Sequence, residues 1–144
     1  MSLVPEVRLA NETDSVSIAN LLSTLGYPCS DTAVRRRLAK LVAGSSVTFV
    51  AVSDSRIIGL VSAHKVPLLH EDGCAAIMTS LVVDQRSRSK GVGRCLVNNI
   101  MSWAGKADCL KLTVTSSLCR DQAHSFYRHI GFDQNGYRFT MRLE

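Results

Sequence analysis

No C-x-x-C pair and no apolar run approaching the ~20 residues of a bilayer span occurs in this 144-residue chain. The missing run argues against a membrane-spanning helix. Met1-Ser2-Leu3-Val4-Pro5-Glu6 has neither a basic n-region nor a signal-like apolar core, so a cytoplasmic location is expected. Cysteine is present as Cys29, Cys74, Cys95, Cys109 and Cys119, an odd set at irregular spacing. Reduced, buried thiols are the expected reading, and a disulfide framework or cysteine metal site is not. Proline is scarce, with three residues, and no linker, repeat or low-complexity segment divides the chain. One domain, 1–144, is expected.

The composition is 46% hydrophobic and 20% charged, which suits a packed core rather than disorder. The formal charge is +5, but its basic residues are scattered and no nucleic-acid motif accompanies them. Part of the excess sits in one stretch. Three arginines and a lysine fall within residues 86–94, together with Gly91 and Gly93. Leu81-Val82-Val83 precedes them as a β-prone run ended by Asp84. Val92, Leu96, Ile100 and Trp103 follow at helical spacing. This reads as strand, basic glycine turn, helix. Glycines at a helix mouth let unpartnered N–H groups approach a ligand, and the helix dipole and cationic side chains favour a pyrophosphate. No Gly-Lys-Ser or Gly-Lys-Thr follows, which excludes a nucleotide P-loop. Leu96 stands where a dinucleotide fingerprint needs its third glycine. The bland alternative is a solvated basic loop before an ordinary helix.

Elsewhere the patterns predict a strand at Val7–Leu9 and a helix capped within Asn11–Asp14 and reaching Leu25. A second helix follows Ser30 or Asp31, with Val34, Leu38, Leu41 and Val42 on its core face and Arg35, Arg36, Arg37 and Lys40 solvated. Val47–Val52 and Ile57–His64 read as a hairpin, and Ala75–Val83 as the next strand. Leu110–Thr115 and Tyr137–Arg142 read as strands, with a helix near 120–130 stopped by Gly131. This order predicts an α/β mixed sheet with helices on both faces.

Arg88-x-x-Gly91-x-Gly93 after Leu-Val-Val resembles the acetyl-CoA motif of the GNAT family of N-acetyltransferases. Ala123-His124-Ser125-Phe126-Tyr127-Arg128-His129-Ile130-Gly131-Phe132 resembles the family's second hallmark, Ala-x-x-Phe-Tyr-x-x-x-Gly-Phe. The element order fits the family as well. The resemblance implies a mostly antiparallel sheet of six to seven strands, with acetyl-CoA as acetyl donor. It implies that Leu81, Val82 and Val83 line the pantetheine arm through their backbone. It implies that Arg88, Ser89, Lys90, Gly91, Val92, Gly93 and Arg94 hold the pyrophosphate. Tyr127 then protonates the departing thiolate, while Ala123, Phe126 and Ile130 also fit a plain core stripe. The implied reaction is direct acetyl transfer to a primary amine of a small molecule, with no covalent enzyme intermediate. Many proteins of this fold are dimers, so a homodimer is expected; the residues themselves point to no nucleic-acid or membrane partner, and no metal is assigned.

Two departures matter. Thr79 stands where many members carry a glutamate base, which leaves water, selection of the already neutral amine, or a residue of another element, with Glu71, Asp72 and His64 as unranked candidates. Arg120 stands where many have asparagine. Arg120–Tyr127 and the ending Tyr137-Arg138-Phe139-Thr140-x-x-Leu143 are similar to the aminoalkylphosphonate N-acetyltransferase subgroup. Competing readings are a protein-lysine or N-terminal acetyltransferase and a non-catalytic acyl-CoA-binding sensor or assembly module.

Overall fold

Sheet and helices follow chain order in the computed structural model, which describes residues 4–41 and 43–143. Val42, expected on the core face of the second helix, lies outside the described residues. Residue contacts divide the chain into two compact units, Met1–Thr113 and Val114–Glu144.

In the first unit, β1 (Glu6–Leu9) leads through a 3₁₀ turn into α1 (Ser15–Leu25) and α2 (Asp31–Lys40). The entry to α1 is a capping box. Asn11 accepts from the Thr13 amide, and the Asp14 carboxylate accepts from the Asn11 amide. Ser30 caps α2 through the Ala33 amide. Then come β2 (Ser46–Ser53), β3 (Arg56–Pro67) and β4 (Cys74–Val83). The β2–β3 hairpin turns at Asp54 and Ser55, both left-handed at φ 49° and 61°, as a two-residue turn that follows strand twist requires. After α3 (Val92–Lys106) comes β5 (Cys109–Val114).

The sheet order is β1-β2-β3-β4-β5, and the first three pairings are antiparallel. Alternation along β3 sends neighbouring residues to opposite faces. Leu60 joins Ile18, Leu21, Val34, Val50 and Val82 under α1 and α2. Its neighbour Gly59 faces α3 instead, where Val92 and Leu96 close on it. Helices therefore cover both faces, as expected from sequence. Leu96 and Ile100 of α3 are wholly buried, and each such side chain contributes roughly 1.5–3 kcal/mol.

Gly59 is there for space. A Cβ at this position would stand 3.0 Å from Leu96 Cδ1 and 3.1 Å from the Val82 carbonyl oxygen. The leucine tip can yield, but that carbonyl is fixed by the Leu60–Val82 register of the β3–β4 ladder. Gly59→Ala is expected to lower unfolding stability by about 1 kcal/mol, read from the urea midpoint. A neutral or stabilising result would mean that α3 is free to lift.

In the second unit, α4 (Asp121–His129) follows a polar loop, and Gly131 succeeds it. Ala123, Phe126 and Ile130, expected in a core stripe, are half-buried, and no α4 residue is fully buried. The strand expected at Tyr137–Arg142 is not formed, so the described residues hold five strands rather than six or seven. Tyr137, Phe139 and Met141 are 89%, 92% and 84% exposed. Their alternation specifies an apolar edge, but pleat-like patterning does not supply a hydrogen-bonding partner.

The thiols are all free. Cys74 is buried as expected, whereas Cys119, in the loop before α4, is exposed. Cys74 Sγ lies 3.1 Å from Cys109 Sγ. Burial first, then the Cys74 contact, pushes the Cys109 thiol up to about 11. Such a thiol is a poor nucleophile at neutral pH.

Candidate active site

β4 runs out of the sheet into the basic turn at Val83. The Asp84 amide donates to the Ile58 carbonyl at 2.8 Å, and the Asp84 carboxylate accepts from the Arg86 amide at 3.1 Å. A 3₁₀ turn over Gln85–Ser87 follows, its Ser87 buried. Arg88 then folds back, and its Nε donates to the Val83 carbonyl at 3.1 Å. Arg86 is separate. It lines a cleft of about 620 Å³ with Arg8, Asp14, Arg56 and Asp84.

The approach to α3 is left-handed at Ser89, φ 62°, and at Gly91, φ 88°. Gly91 occupies the N-cap with no side-chain cap, and the first helical bond runs from the Cys95 amide to its carbonyl. The amides of Val92, Gly93 and Arg94 precede that bond and lie in the turn that helix geometry leaves unpartnered. With the dipole they make a positive, shallow rim suited to a phosphate group. Ser89, Lys90, Gly91 and Arg94 are exposed there, and Gly93 is half-buried. Val92 differs from its expected neighbours, since its side chain is 1% exposed and belongs to the core. Only its amide is available to a ligand.

Upstream, Leu81 and Val83 are half-buried and Val82 is buried. The β3–β4 register shifts between Ser62 and Ala63, with Ser62 opposite Ser80 and Ala63 opposite Met78. Thr79 is the extra residue of this bulge. A bulge re-aims its side chains, and here the Thr79 hydroxyl lies 3.1 Å from His64 Nε2. The other ring nitrogen, Nδ1, lies 2.8 Å from Ser46 Oγ. Sequence left His64 unranked among candidate bases; what brings it to Thr79 is the register of β3 and β4.

Glu71 is drawn elsewhere. Lys111 Nζ donates to its carboxylate at 3.1 Å, and His70 Nε2 lies 3.3 Å away. Lys111 above all holds its carboxyl below the usual range, which weakens it as a base. Among the described residues, no group of three or more His, Cys, Asp and Glu side chains is placed to hold a metal ion. No helix in the described residues is long and apolar enough to cross a membrane.

In the second unit, the Tyr127 ring is held edge-on between Phe126 and Phe132, with centroids 5.5 and 5.6 Å away. Burial pushes its phenol above the ordinary value, and Arg120 opposes that with a smaller downward pull. The phenol therefore keeps its proton at neutral pH. His124 Nε2 donates to the Ser117 carbonyl at 2.7 Å and fixes the loop entering α4.

The family model described as acetyltransferase (GNAT) matches residues 16–132. N-acetylaspartate synthetase of Rattus norvegicus is 26% identical over 91 residues, 63% of this chain. Those residues are 29% of the synthetase, so the chain spans under a third of that relative's length. Among solved structures, glucosamine-6-phosphate N-acetyltransferase from Arabidopsis thaliana superposes with TM-score 0.85 at 19% identity, over 99% of this chain and 100% of that one. An aminoglycoside N-acetyltransferase in complex with CoA gives TM-score 0.84 at 20% identity, over 98% and 99%. At such identities the structural likeness speaks for the fold. The family match is broader in its meaning, because it runs from the first helix to just beyond the last and takes in both motifs. The chain belongs to the acetyltransferase (GNAT) family.

Proposed function

We propose that the chain is an acetyl-CoA-dependent N-acetyltransferase acting on a primary amine of a small molecule. The observation that carries this is the uncapped start of α3 at Gly91, reached from β4 through a basic turn that holds Arg88 and Lys90. It is a donor set for a pyrophosphate inside a chain of the right family. We read residues 1–144 as one acetyltransferase domain, because the family match crosses the Thr113–Val114 division.

In this reading the amine nitrogen attacks the thioester carbonyl carbon. The carbonyl oxygen becomes an oxyanion, polarised by the Val82 or Val83 amide. The attack forms the C–N bond, and the nitrogen releases its extra proton to solvent; collapse then restores the C=O bond, breaks the C–S bond and expels the CoA thiolate, which takes a proton from Tyr127, whose phenolate regains one from solvent. The acceptor is a small amine bearing an acidic group. The similarity of 120–127 and 137–143 to the aminoalkylphosphonate acetyltransferases supports this. A non-catalytic acyl-CoA-binding module is the second reading, favoured by the hydroxyl of Thr79 where many relatives place a carboxylate.

Thiol release from acetyl-CoA is the test, across aminoalkylphosphonates, glucosamine 6-phosphate, polyamines, aminoglycosides and lysine peptides. Arg88→Ala is expected to raise the KM for acetyl-CoA about 10–100-fold, the worth of one charge-assisted hydrogen bond to phosphate. Thermal stabilisation by acetyl-CoA with no release for any amine would favour the binding module. No thermal shift and no release would remove the whole reading.

A further inference from the structure

We propose that His64 is the proton acceptor that prepares the amine for attack, and that it acts through the Thr79 hydroxyl. This rests on the acetyltransferase reading and adds a positioning residue to it. An amine held as ammonium has no lone pair to offer, so a proton must leave before the C–N bond can form. The chain Ser46 Oγ–His64 Nδ1 at 2.8 Å and His64 Nε2–Thr79 Oγ1 at 3.1 Å crosses three adjacent strands. Its outer end, Thr79, is exposed, while Ser46 and His64 are half-buried. The proton therefore has a way in from the surface and a destination behind it.

The transfer balances without any further reactant. The ammonium gives a proton to Thr79 Oγ1 as the Thr79 hydroxyl proton passes to His64 Nε2. The amine is left neutral, Thr79 is regenerated and the ring becomes an imidazolium. Both N–H groups of that cation then face hydroxyl oxygens, Thr79 Oγ1 on one side and Ser46 Oγ on the other. Each can accept, so the charged ring is fully hydrogen-bonded. The groups bonded to His64 from β2 and β4 are these two hydroxyls, and Lys65 follows it in β3.

Position also favours the relay. Thr79 precedes Leu81 by two residues, roughly 7 Å along a strand, and Leu81–Val83 is the stretch assigned to the thioester. The bulge at Thr79 is what carries its hydroxyl across to the ring. Glu71, the carboxylate in the preceding loop, is already engaged by Lys111 and His70.

The test compares the full chain with His64→Gln on whichever panel amine reacts fastest, following kcat/KM against pH. Near pH 7 the variant is expected to fall by about 10²-fold. The gap should close as pH rises through the pKa of the acceptor amine itself, because a neutral amine needs no proton acceptor. A purely structural role for His64 would give a gap that ignores the acceptor's pKa. Thr79→Val should show the same closing gap, and Thr79→Ser should recover most of the rate lost in Thr79→Val. Melting temperatures of the variants guard against misfolding. A His64→Gln chain as fast as the parent at pH 7, or a gap constant with pH, overturns the relay. Absence of release by the parent chain with every amine overturns the acetyltransferase reading instead, and the relay with it.

Discussion

Tyr127→Phe is expected to lower kcat by about 10²–10⁴-fold, the range for removing a general acid. The KM for acetyl-CoA should move little, since the role proposed for the lost group is at the leaving sulfur rather than at the pyrophosphate. The substitution removes one oxygen and keeps the ring, so the edge-on contacts with Phe126 and Phe132 survive. Folding should therefore be spared, and a loss of rate would report chemistry. The raised phenol pKa adds a second expectation. Burial keeps Tyr127 protonated beyond the ordinary tyrosine range, so it should impose no alkaline fall in kcat below about pH 10. Single-turnover thiol release in both chains decides the matter. Equal rates would strip Tyr127 of its role and pass the thiolate's proton to water.

Asp14→Asn is expected to cost about 2–3 kcal/mol, in keeping with charged hydrogen bonds to a buried carboxylate. For a chain of this size that is a fall in Tm of about 4–10 °C. Asp14 is 4% exposed. Arg8 grips it with two bonds of 2.8 and 2.9 Å, and the Asn11 amide adds a third at 2.8 Å. One carboxylate thus joins β1 to the start of α1. The Arg8 bond above all holds its carboxyl below the usual range, against the pull of burial. A carboxylate with a depressed folded pKa binds its proton more weakly than the unfolded chain does. Its stabilisation is present above the unfolded value, near pH 4, and is lost as pH falls through the folded one. Urea midpoints at pH 7 and at progressively lower pH should converge for parent and variant. Parallel curves would show that the ion pair is not the source of the difference. The raised pKa of Arg8 contributes in the opposite direction of pH, beyond any accessible range.

Much of the first unit was legible because its signals are local. The Asn11–Asp14 cap, the turn at 53–56 and the Leu-Val-Val strand before Gly91 each declare themselves within a few residues. The backbone of the candidate site was legible in the same measure, since Gly91 at the helix mouth is left-handed. Two things were hidden. Tyr137–Arg142 has the alternation of a strand, but pairing depends on a partner that patterning does not name. The meeting of His64 with Thr79 depends on a one-residue slip in the ladder, and a slip of one residue decides which side chains meet across strands.

That meeting has a consequence for how the chain assembles it. Ser46 and His64 are 18 residues apart, and His64 and Thr79 are 15 apart. Cys74 and Cys109, whose thiols also touch, are separated by 35. The entropy of loop closure rises only logarithmically with length, about 0.6 kcal/mol for each doubling. Both halves of the Ser46–His64–Thr79 array are closed by neighbouring hairpins that bury their own apolar residues as they form. Three polar groups from three strands can thus be gathered with no distant segment recruited, and their alignment is inherited from ordinary hairpin closure.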